Sequence, residues 1–176
     1  MAGRLYFAYG SNLNLEQMER RCPAAKPIGP AVLHGYELRF RGNYGGSGVA
    51  TIAPKHGGPV AGLLWELTPA CEQALDRYEG CPHLYEKQTV TVWDRGSQPW
   101  TVMAYVMRER FLAPAAPAAA YYNSILKGYR ENGLPVVWLR RAWERTVREV
   151  HQRTEQVNKQ CTKPAKTSKR RNGHAR

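Results

Sequence analysis

The chain has 176 residues, of which 43% are hydrophobic and 10% aromatic, enough apolar surface for one globular domain with its own core. No run approaches the roughly 18 to 20 apolar residues of a membrane-spanning helix, so we expect a cytoplasmic protein with no membrane partner. The 4 cysteines show no C-x-x-C pair and no matching histidine spacing, so no metal site is predicted and reduced thiols are the simplest interpretation, with two disulfides left open by number alone.

The formal charge of +12 is unevenly distributed along the chain. Residues 151–176 contain 8 Lys and Arg against one acidic residue, Glu155, and so carry +7, which leaves +5 on the other 150 residues. Apolar periodicity ends near Thr154, and Lys, Arg, Ser, Thr and Pro dominate beyond it. We therefore predict a globular domain over residues 1–153 and a basic, disordered tail over residues 154–176.

The first predicted elements are a buried strand and a short helix joined by a tight turn. Leu5 to Tyr9 is an aromatic and aliphatic run typical of a strand, and Gly10-Ser11-Asn12 ends it. Asn14 and Gln17 fit a capping box for a helix over Leu15 to Arg21. A strand thus leads through a turn into a helix N-terminus.

Four short β-type runs come next, at residues 32–33, 36–41, 49–53 and 60–67. Glycine, proline and a His-Gly-Gly-Pro sequence separate them, which favours antiparallel strands, with a glycine-rich loop at 42–48. Thr68 and Pro69 then predict a helix start and Gly80 its end, so the helix body is Ala70 to Glu79.

A hairpin and two helices complete the predicted fold. Tyr85 to Trp93 and Gln98 to Met107 flank a four-residue turn that begins with Asp94. Apolar residues at helical spacing predict a helix that ends at Gly133, and Pro135 starts another. Too little helix lies between the strands for βαβ units, so we predict an α+β fold with a small, mainly antiparallel, barrel-like sheet and attached helices.

The turn after the first strand is the first candidate binding element. Tyr9 to Leu13 places consecutive backbone N–H groups at a helix N-terminus, a geometry that suits an anion such as a carboxylate. The same pattern also fits an ordinary strand-to-helix turn, so the turn alone leaves both interpretations open.

Glu79 is the candidate catalytic residue. It lies on the last turn of a predicted helix, where the helix dipole disfavours negative charge by ~0.3 to 1 kcal/mol. This field, with burial, is expected to raise its pKa toward that of a useful base. A solvated surface glutamate is the alternative.

Four segments together resemble the γ-glutamylcyclotransferase family. They are Leu5 to Leu13 (LYFAYGSNL), Gly62 to Trp65 (GLLW), Leu75 to Gly80 (LDRYEG) and Glu131 to Pro135 (ENGLP), and they occur in the family's order. The resemblance extends over residues 5–150, which makes it far more specific than the short turn by itself.

The resemblance implies a small β-barrel with attached helices, an AIG2-like fold, in which the turn binds the glutamyl moiety and Glu79 is the acid/base. The residues that it assigns to substrate binding are those of the turn and three tyrosines, namely Tyr9, Gly10, Ser11, Asn12, Leu13, Tyr85, Tyr105 and Tyr121. Each of the three tyrosines also fits simple core packing.

The implied reaction converts a γ-glutamyl amino acid or amine into 5-oxoproline and a free amine. The substrate carries its own nucleophile, because its α-amine attacks its γ-carbonyl and forms a five-membered lactam. The enzyme therefore needs only to orient the substrate and move protons, and no metal or organic cofactor enters this scheme.

Other functions stay open at this point. One is a related cyclotransferase that removes a γ-glutamyl group from a specialised biosynthetic intermediate, since the leaving group contacts residues outside the shared motifs. Another, from a different class, is a non-catalytic barrel whose basic tail binds nucleic acid, although the tail lacks interleaved aromatic residues. The oligomeric state, a homodimer included, is also left open.

Overall fold

The computed structural model of the protein describes residues 3–42 and 47–161. These residues form a closed five-stranded barrel with the strand order β1-β3-β2-β4-β5. The strands are β1 (Arg4–Ala8), β2 (Lys26–Gly42), β3 (Gly48–Leu67), β4 (Tyr85–Asp94) and β5 (Pro99–Met107). The helices are α1 (Leu15–Arg21), α2 (Pro69–Glu79), α3 (Ala119–Glu131) and α4 (Val136–Cys161), and single 3-10 turns cover Ser11–Leu13 and Glu109–Phe111.

The sheet is mainly antiparallel, which confirms the predicted α+β barrel. All its neighbouring strand pairs are antiparallel except β1 and β5, which close the barrel through the parallel pair Tyr6 and Met103. The predicted hairpin is also present, because β4 and β5 pair from Tyr85 opposite Met107 to Trp93 opposite Pro99.

The long hairpin of β2 and β3 differs from its prediction. Four separate short strands were expected, but the two strands run continuously and pair along most of their length. Register shifts at Pro27/Gly29 and at His34/Tyr36 absorb the irregular residues. Glycine and proline therefore mark β-bulges inside these strands, where the sequence pattern predicted strand ends. Residues 43–46 of the predicted glycine-rich loop lie outside the described residues.

The helix boundaries follow the predicted caps closely. The Asn14 side chain accepts a hydrogen bond from the Gln17 N–H at the start of α1. Thr68 caps α2 in the same way, and Gly80 ends that helix in the left-handed conformation at φ 63°. Since glycine adopts this conformation without strain, Glu79 stands at a sharply defined helix end.

The core fills the barrel and the spaces beneath the helices. Phe7, Phe40 and Leu64 are almost completely buried among the strands, and Leu139 and Ala142 bury one face of α4 against β2. Helix α3 packs on the 3-10 turn that follows β1. This packing places the β1 turn between the barrel and α3.

Helix α4 continues past the predicted domain boundary at residue 153 and ends at Cys161. Residues 151–159 of this helix are exposed to solvent. The predicted tail beyond them, residues 162–176, lies outside the described residues. Among the helices described here, none is long and apolar enough to cross a membrane.

Candidate active site

A cavity of about 270 Å³ opens beside the end of β1. Its walls come from the β1 turn, the C-terminal end of α2, the strands β3, β4 and β5 and the first turn of α3. Polar and aromatic groups share these walls with a few aliphatic ones. The lining residues are Tyr6, Tyr9, Gly10, Ser11, Asn12, Val49, Ala50, Tyr78, Glu79, Leu84, Tyr85, Tyr105 and Tyr121.

The fold thus brings most of the sequence-predicted site residues to one place. Glu79, four residues of the turn and all three tyrosines line this cavity. Leu13 is different, since its side chain is fully buried in the core and does not line the cavity.

Glu79 is the acidic side chain of the cavity wall. It is partly buried, and its Oε1 accepts a hydrogen bond from Asn12 Nδ2 at 2.8 Å. Burial raises the pKa of Glu79 to about 7, while the Asn12 hydrogen bond and the positive charge of Arg21 act in the opposite direction. The largest cause is therefore desolvation, whereas the sequence argument gave first place to the helix dipole.

Asn12 connects Glu79 to two other groups. Its Nδ2 also lies 2.9 Å from the Tyr6 hydroxyl oxygen, and its Oδ1 accepts from Arg21 Nη1 at 2.5 Å. Only 3% of Asn12 is exposed, so these contacts replace the hydrogen bonds that water would otherwise provide.

The tyrosine hydroxyls around the cavity are tied to the barrel. Tyr85 donates to the Ala50 carbonyl at 2.6 Å, Tyr121 accepts from the Ala50 N–H at 3.1 Å, and Tyr9 donates to the Tyr105 carbonyl. Burial raises the pKa of all four of these tyrosines, so they are neutral hydroxyls at physiological pH. Held in this way, the rings give the cavity a fixed shape.

Close packing from α3 holds the β1 turn in place. A side chain at Gly128 would bring its Cβ within 2.6 Å of the Leu13 carbonyl carbon, so this contact requires glycine. Asn132 Nδ2 donates to the Leu13 carbonyl at 3.0 Å, and Glu131 accepts from the Leu15 N–H at 3.3 Å. The E-N-G segment of the sequence therefore supports the turn from outside the cavity.

Several groups at the site were not found by the sequence reasoning. Tyr6 shares the Asn12 amide, and Arg21 and Tyr78 stack at the cavity edge with the guanidinium carbon 3.7 Å from the ring centre. Asp76 accepts from the Tyr105 hydroxyl at 2.6 Å and is paired with Lys87. The Tyr6 contact lies within the motif segment itself, six residues from Asn12. The contacts of Arg21 with Tyr78 and of Asp76 with Tyr105 join segments that only the fold brings together, so spacing in the sequence gives no signal for them.

The described residues contain no group of three or more His, Cys, Asp or Glu side chains able to hold a metal ion. The polar groups that line the cavity are the Glu79 carboxylate, the Asn12 amide and the hydroxyls of Ser11 and the tyrosines.

Comparisons with known proteins agree with this arrangement. Residues 6–124 match the family model described as gamma-glutamyl cyclotransferase, AIG2-like. A gamma-glutamylcyclotransferase of Mus musculus is 35% identical over 139 residues, which cover 74% of this chain and 72% of the relative, and one of Homo sapiens is 34% identical with 75% and 73% covered. A solved structure titled gamma-glutamyl cyclotransferase superposes with a TM-score of 0.73 at 31% identity, covering 80% of this chain and 86% of that one. The chain therefore belongs to the gamma-glutamyl cyclotransferase, AIG2-like family of enzymes.

Proposed function

We propose that this enzyme converts a γ-glutamyl amino acid or γ-glutamyl amine into 5-oxoproline and the free amine, with Glu79 as the general acid and base. The observation that carries the proposal is a partly buried carboxylate, with a pKa of about 7, in the wall of a cavity that the family's turn also lines. A group with such a pKa exchanges protons efficiently in both directions near neutral pH.

In the first step Glu79 acts as the base. Its carboxylate takes a proton from the α-ammonium group of the substrate, and the freed amine attacks the γ-carbonyl carbon. A C–N bond forms, the carbonyl oxygen becomes an oxyanion, and Glu79 is left protonated. The Tyr121 hydroxyl accepts from the Ala50 N–H and keeps its own proton for another acceptor, so this hydroxyl and the backbone N–H groups of the turn are suited to stabilise the oxyanion.

In the second step the same residue acts as the acid. Protonated Glu79 gives its proton to the nitrogen of the leaving amine, the original amide C–N bond breaks and the lactam carbonyl forms. The ring nitrogen still carries two hydrogens after the attack, and its extra proton passes to the released amine, which departs as an ammonium ion. The carboxylate is regenerated, so the cycle balances without a cofactor. Asn12 keeps Oε1 of Glu79 at a fixed place through its 2.8 Å hydrogen bond.

The turn is proposed to bind the α-carboxylate of the substrate. Ser11 and Asn12 begin a helical turn, so their N–H groups have no acceptor within it. Gly10 permits a close approach, since a Cβ at this position would lie 3.2 Å from Ala50 Cβ and 3.5 Å from the Tyr121 hydroxyl. A side chain there would occupy space that the substrate needs.

The test is a substrate panel of γ-glutamyl dipeptides, γ-glutamylamines and glutathione, with 5-oxoproline and the released amine both quantified. We expect at least one member to yield the two products in equal amounts, and this yield to be lost in Glu79→Gln. Glu72→Gln is the matched control, because Glu72 lies on the same helix and pairs with Arg4 and Lys87 outside the cavity. Absence of 5-oxoproline with every substrate would reject the proposed reaction.

A further inference from the structure

Arg21 lies on the last turn of α1, beside the cavity but not among its lining residues. Its Nη1 is 2.5 Å from Asn12 Oδ1 and 3.2 Å from Ser11 Oγ. Its Nη2 donates to Gln17 Oε1 at 2.7 Å and to the Tyr78 hydroxyl. Four oxygen acceptors thus use the four N–H bonds of the two terminal nitrogens.

This occupancy argues against a direct role in substrate binding. A substrate carboxylate usually binds arginine through both terminal nitrogens, and here it would have to displace protein oxygens from each of them. The ring of Tyr78 also covers one face of the guanidinium at 3.7 Å. The function of Arg21 is therefore to be sought in the residues that it holds.

Arg21 contacts three residues of the cavity wall, Ser11, Asn12 and Tyr78, and of these Asn12 is the one that hydrogen-bonds Glu79. The two ends of an asparagine amide have nearly the same shape, so a neighbouring group must decide which end points where. A guanidinium has only donors, and it therefore selects the amide oxygen and directs Nδ2 toward Glu79 and Tyr6. If the amide were reversed, its NH2 group would face the donors of Arg21 and its oxygen would face the Glu79 carboxylate, and both contacts would be repulsive.

We infer that Arg21 is a positioning residue that acts on Glu79 through Asn12, an inference that rests on the proposed catalytic function of Glu79. Arg21 fixes the orientation of the Asn12 amide, and the amide in turn fixes Oε1 of the carboxylate.

Arg21 also acts on Glu79 through its positive charge, which lowers the pKa of Glu79 as the Asn12 hydrogen bond does. The other titratable groups that interact with Glu79 are neutral near pH 7, namely Tyr6 and Tyr9 from β1, Tyr85 from β4, Tyr105 from β5, Tyr121 from α3 and Cys81 after α2. On α2 itself, Asp76 is paired with Lys87. Arg21 is the cation of this set, and its charge lowers the pKa of Glu79 against the effect of burial.

The first experiment reads the carboxyl group of Glu79 directly in the free protein. The protein is labelled with ¹³C at glutamate side-chain carboxyls, Glu79 is assigned with Glu79→Gln, and its titration is followed by NMR. We expect Arg21→Gln to move this titration to higher pH. Arg20→Gln is the matched control, because it removes the same charge from the preceding residue, whose side chain is 73% exposed and paired with Glu16.

The second experiment measures turnover of an active γ-glutamyl substrate across pH. Arg21→Gln should lower kcat/KM about 10-fold at pH 7, as expected for loss of a charged hydrogen bond. The acid limb of the profile should move to higher pH, so the loss should shrink as pH rises. In an Asn12→Ala background the further cost of Arg21→Gln should be smaller, since the route through the amide is already gone.

A less disruptive variant protects the test against misfolding. Arg21→Lys keeps the charge but has three N–H donors on a single nitrogen, so it cannot reproduce the four contacts that the two terminal nitrogens of Arg21 make. It should therefore shift the Glu79 titration in the same direction by less. If a folded Arg21 variant titrates Glu79 as Arg20→Gln does, the inference is overturned. Lack of 5-oxoproline with the wild-type protein would instead count against the proposed function, and the NMR titration would still decide the action of Arg21 on Glu79.

Discussion

Two glutamates with low exposure, Glu79 and Glu37, are held in opposite ways. Glu37 on β2 is 6% exposed, and its carboxylate contacts the guanidinium groups of Arg39 at 2.5 Å and Arg145 at 2.8 Å. Among the described residues Glu79 has one hydrogen bond, from a neutral amide, and the nearby Arg21 contacts that amide instead of the carboxylate. The ion pair of Glu37 with Arg145 joins β2 to α4. Within residues 3–42 and 47–161, Glu79 has no ion pair of its own, and it keeps a pKa suited to proton transfer.

Of the variants that test this difference between Glu79 and Glu37, Glu79→Gln is expected to have the largest effect, a loss of turnover. The amide keeps the shape of the side chain but cannot accept the ammonium proton, and loss of a general base commonly costs about 10²- to 10⁴-fold in kcat. We expect the upper part of that range, because in the proposed mechanism the same residue also protonates the leaving amine. Steady-state formation of 5-oxoproline measures it, and activity within a few-fold of wild type would contradict the proposed mechanism.

Glu37→Gln should show the reverse behaviour. Removing the buried Glu37 carboxylate leaves two guanidinium groups without their counter-charge. Because these groups are 33% and 32% exposed, solvent compensates in part, and we expect a loss of about 2 to 3 kcal/mol of folding free energy. The melting temperature should fall by about 5 °C or more, with kcat little changed. Thermal unfolding and turnover measured on one preparation test this, and a selective loss of kcat would show that the two glutamates are not functionally distinct.

The pH dependence of stability should distinguish wild type from Glu79→Gln. Because the folded-state pKa of Glu79 is raised from its ordinary 4.5 to about 7, the folded protein binds this proton more tightly than the unfolded chain does. Ionisation of Glu79 therefore lowers stability as pH rises through this window, by about 2 kcal/mol after allowance for solvent at the cavity. In urea unfolding, the free energy of unfolding of Glu79→Gln should increase relative to that of wild type as the pH rises from about 4.5 to about 8.

Gly128→Ala should alter the shape of the cavity, although Gly128 does not line it. The new Cβ would lie 2.6 Å from both the carbonyl carbon and the Cβ of Leu13, so α3 and the β1 turn must separate. Overpacking of this kind costs about 1 to 2 kcal/mol, and we expect KM to rise together with the loss of stability. Asn123→Ala on the exposed face of the same helix is the control and should leave KM unchanged.

The smallest effect is expected from truncation after residue 153, where we propose that the catalytic domain ends. Residues 154–159 of α4 are exposed, so their removal should change the free energy of unfolding by no more than about 0.5 kcal/mol. Turnover should also be unchanged. Collapse of the fold in the truncated protein would show that the C-terminal segment packs on the domain.

The sequence was most informative where structure is local. Caps at Asn14, Thr68 and Gly80 depend on residues a few positions apart, and each prediction is confirmed. The length of β2 and β3 could not be read in this way, since a bulge and a strand end share the same glycine and proline signals.

The candidate site was predictable only in part for the same reason. Motif resemblance pointed to Glu79 and the turn, which the fold places along one cavity. It gave no warning that Leu13 belongs to the core. Nor did it indicate Arg21, whose contact with Tyr78 joins positions 57 residues apart and depends on how α1 meets the end of α2.

The closure of the barrel is weakest along the line where the cavity lies. Strands β1 and β5 share a single register pair, and side chains complete the seam, through the edge-to-face contact of Tyr6 with Tyr105 and the bond from the Tyr9 hydroxyl to the Tyr105 carbonyl. These residues are also cavity walls. The seam is thus the natural place for local opening, and amide hydrogens there should exchange faster than those between β2 and β3. A ligand that fills the cavity contacts residues on both β1 and β5. Ligand binding should therefore slow the exchange of amide hydrogens in β5.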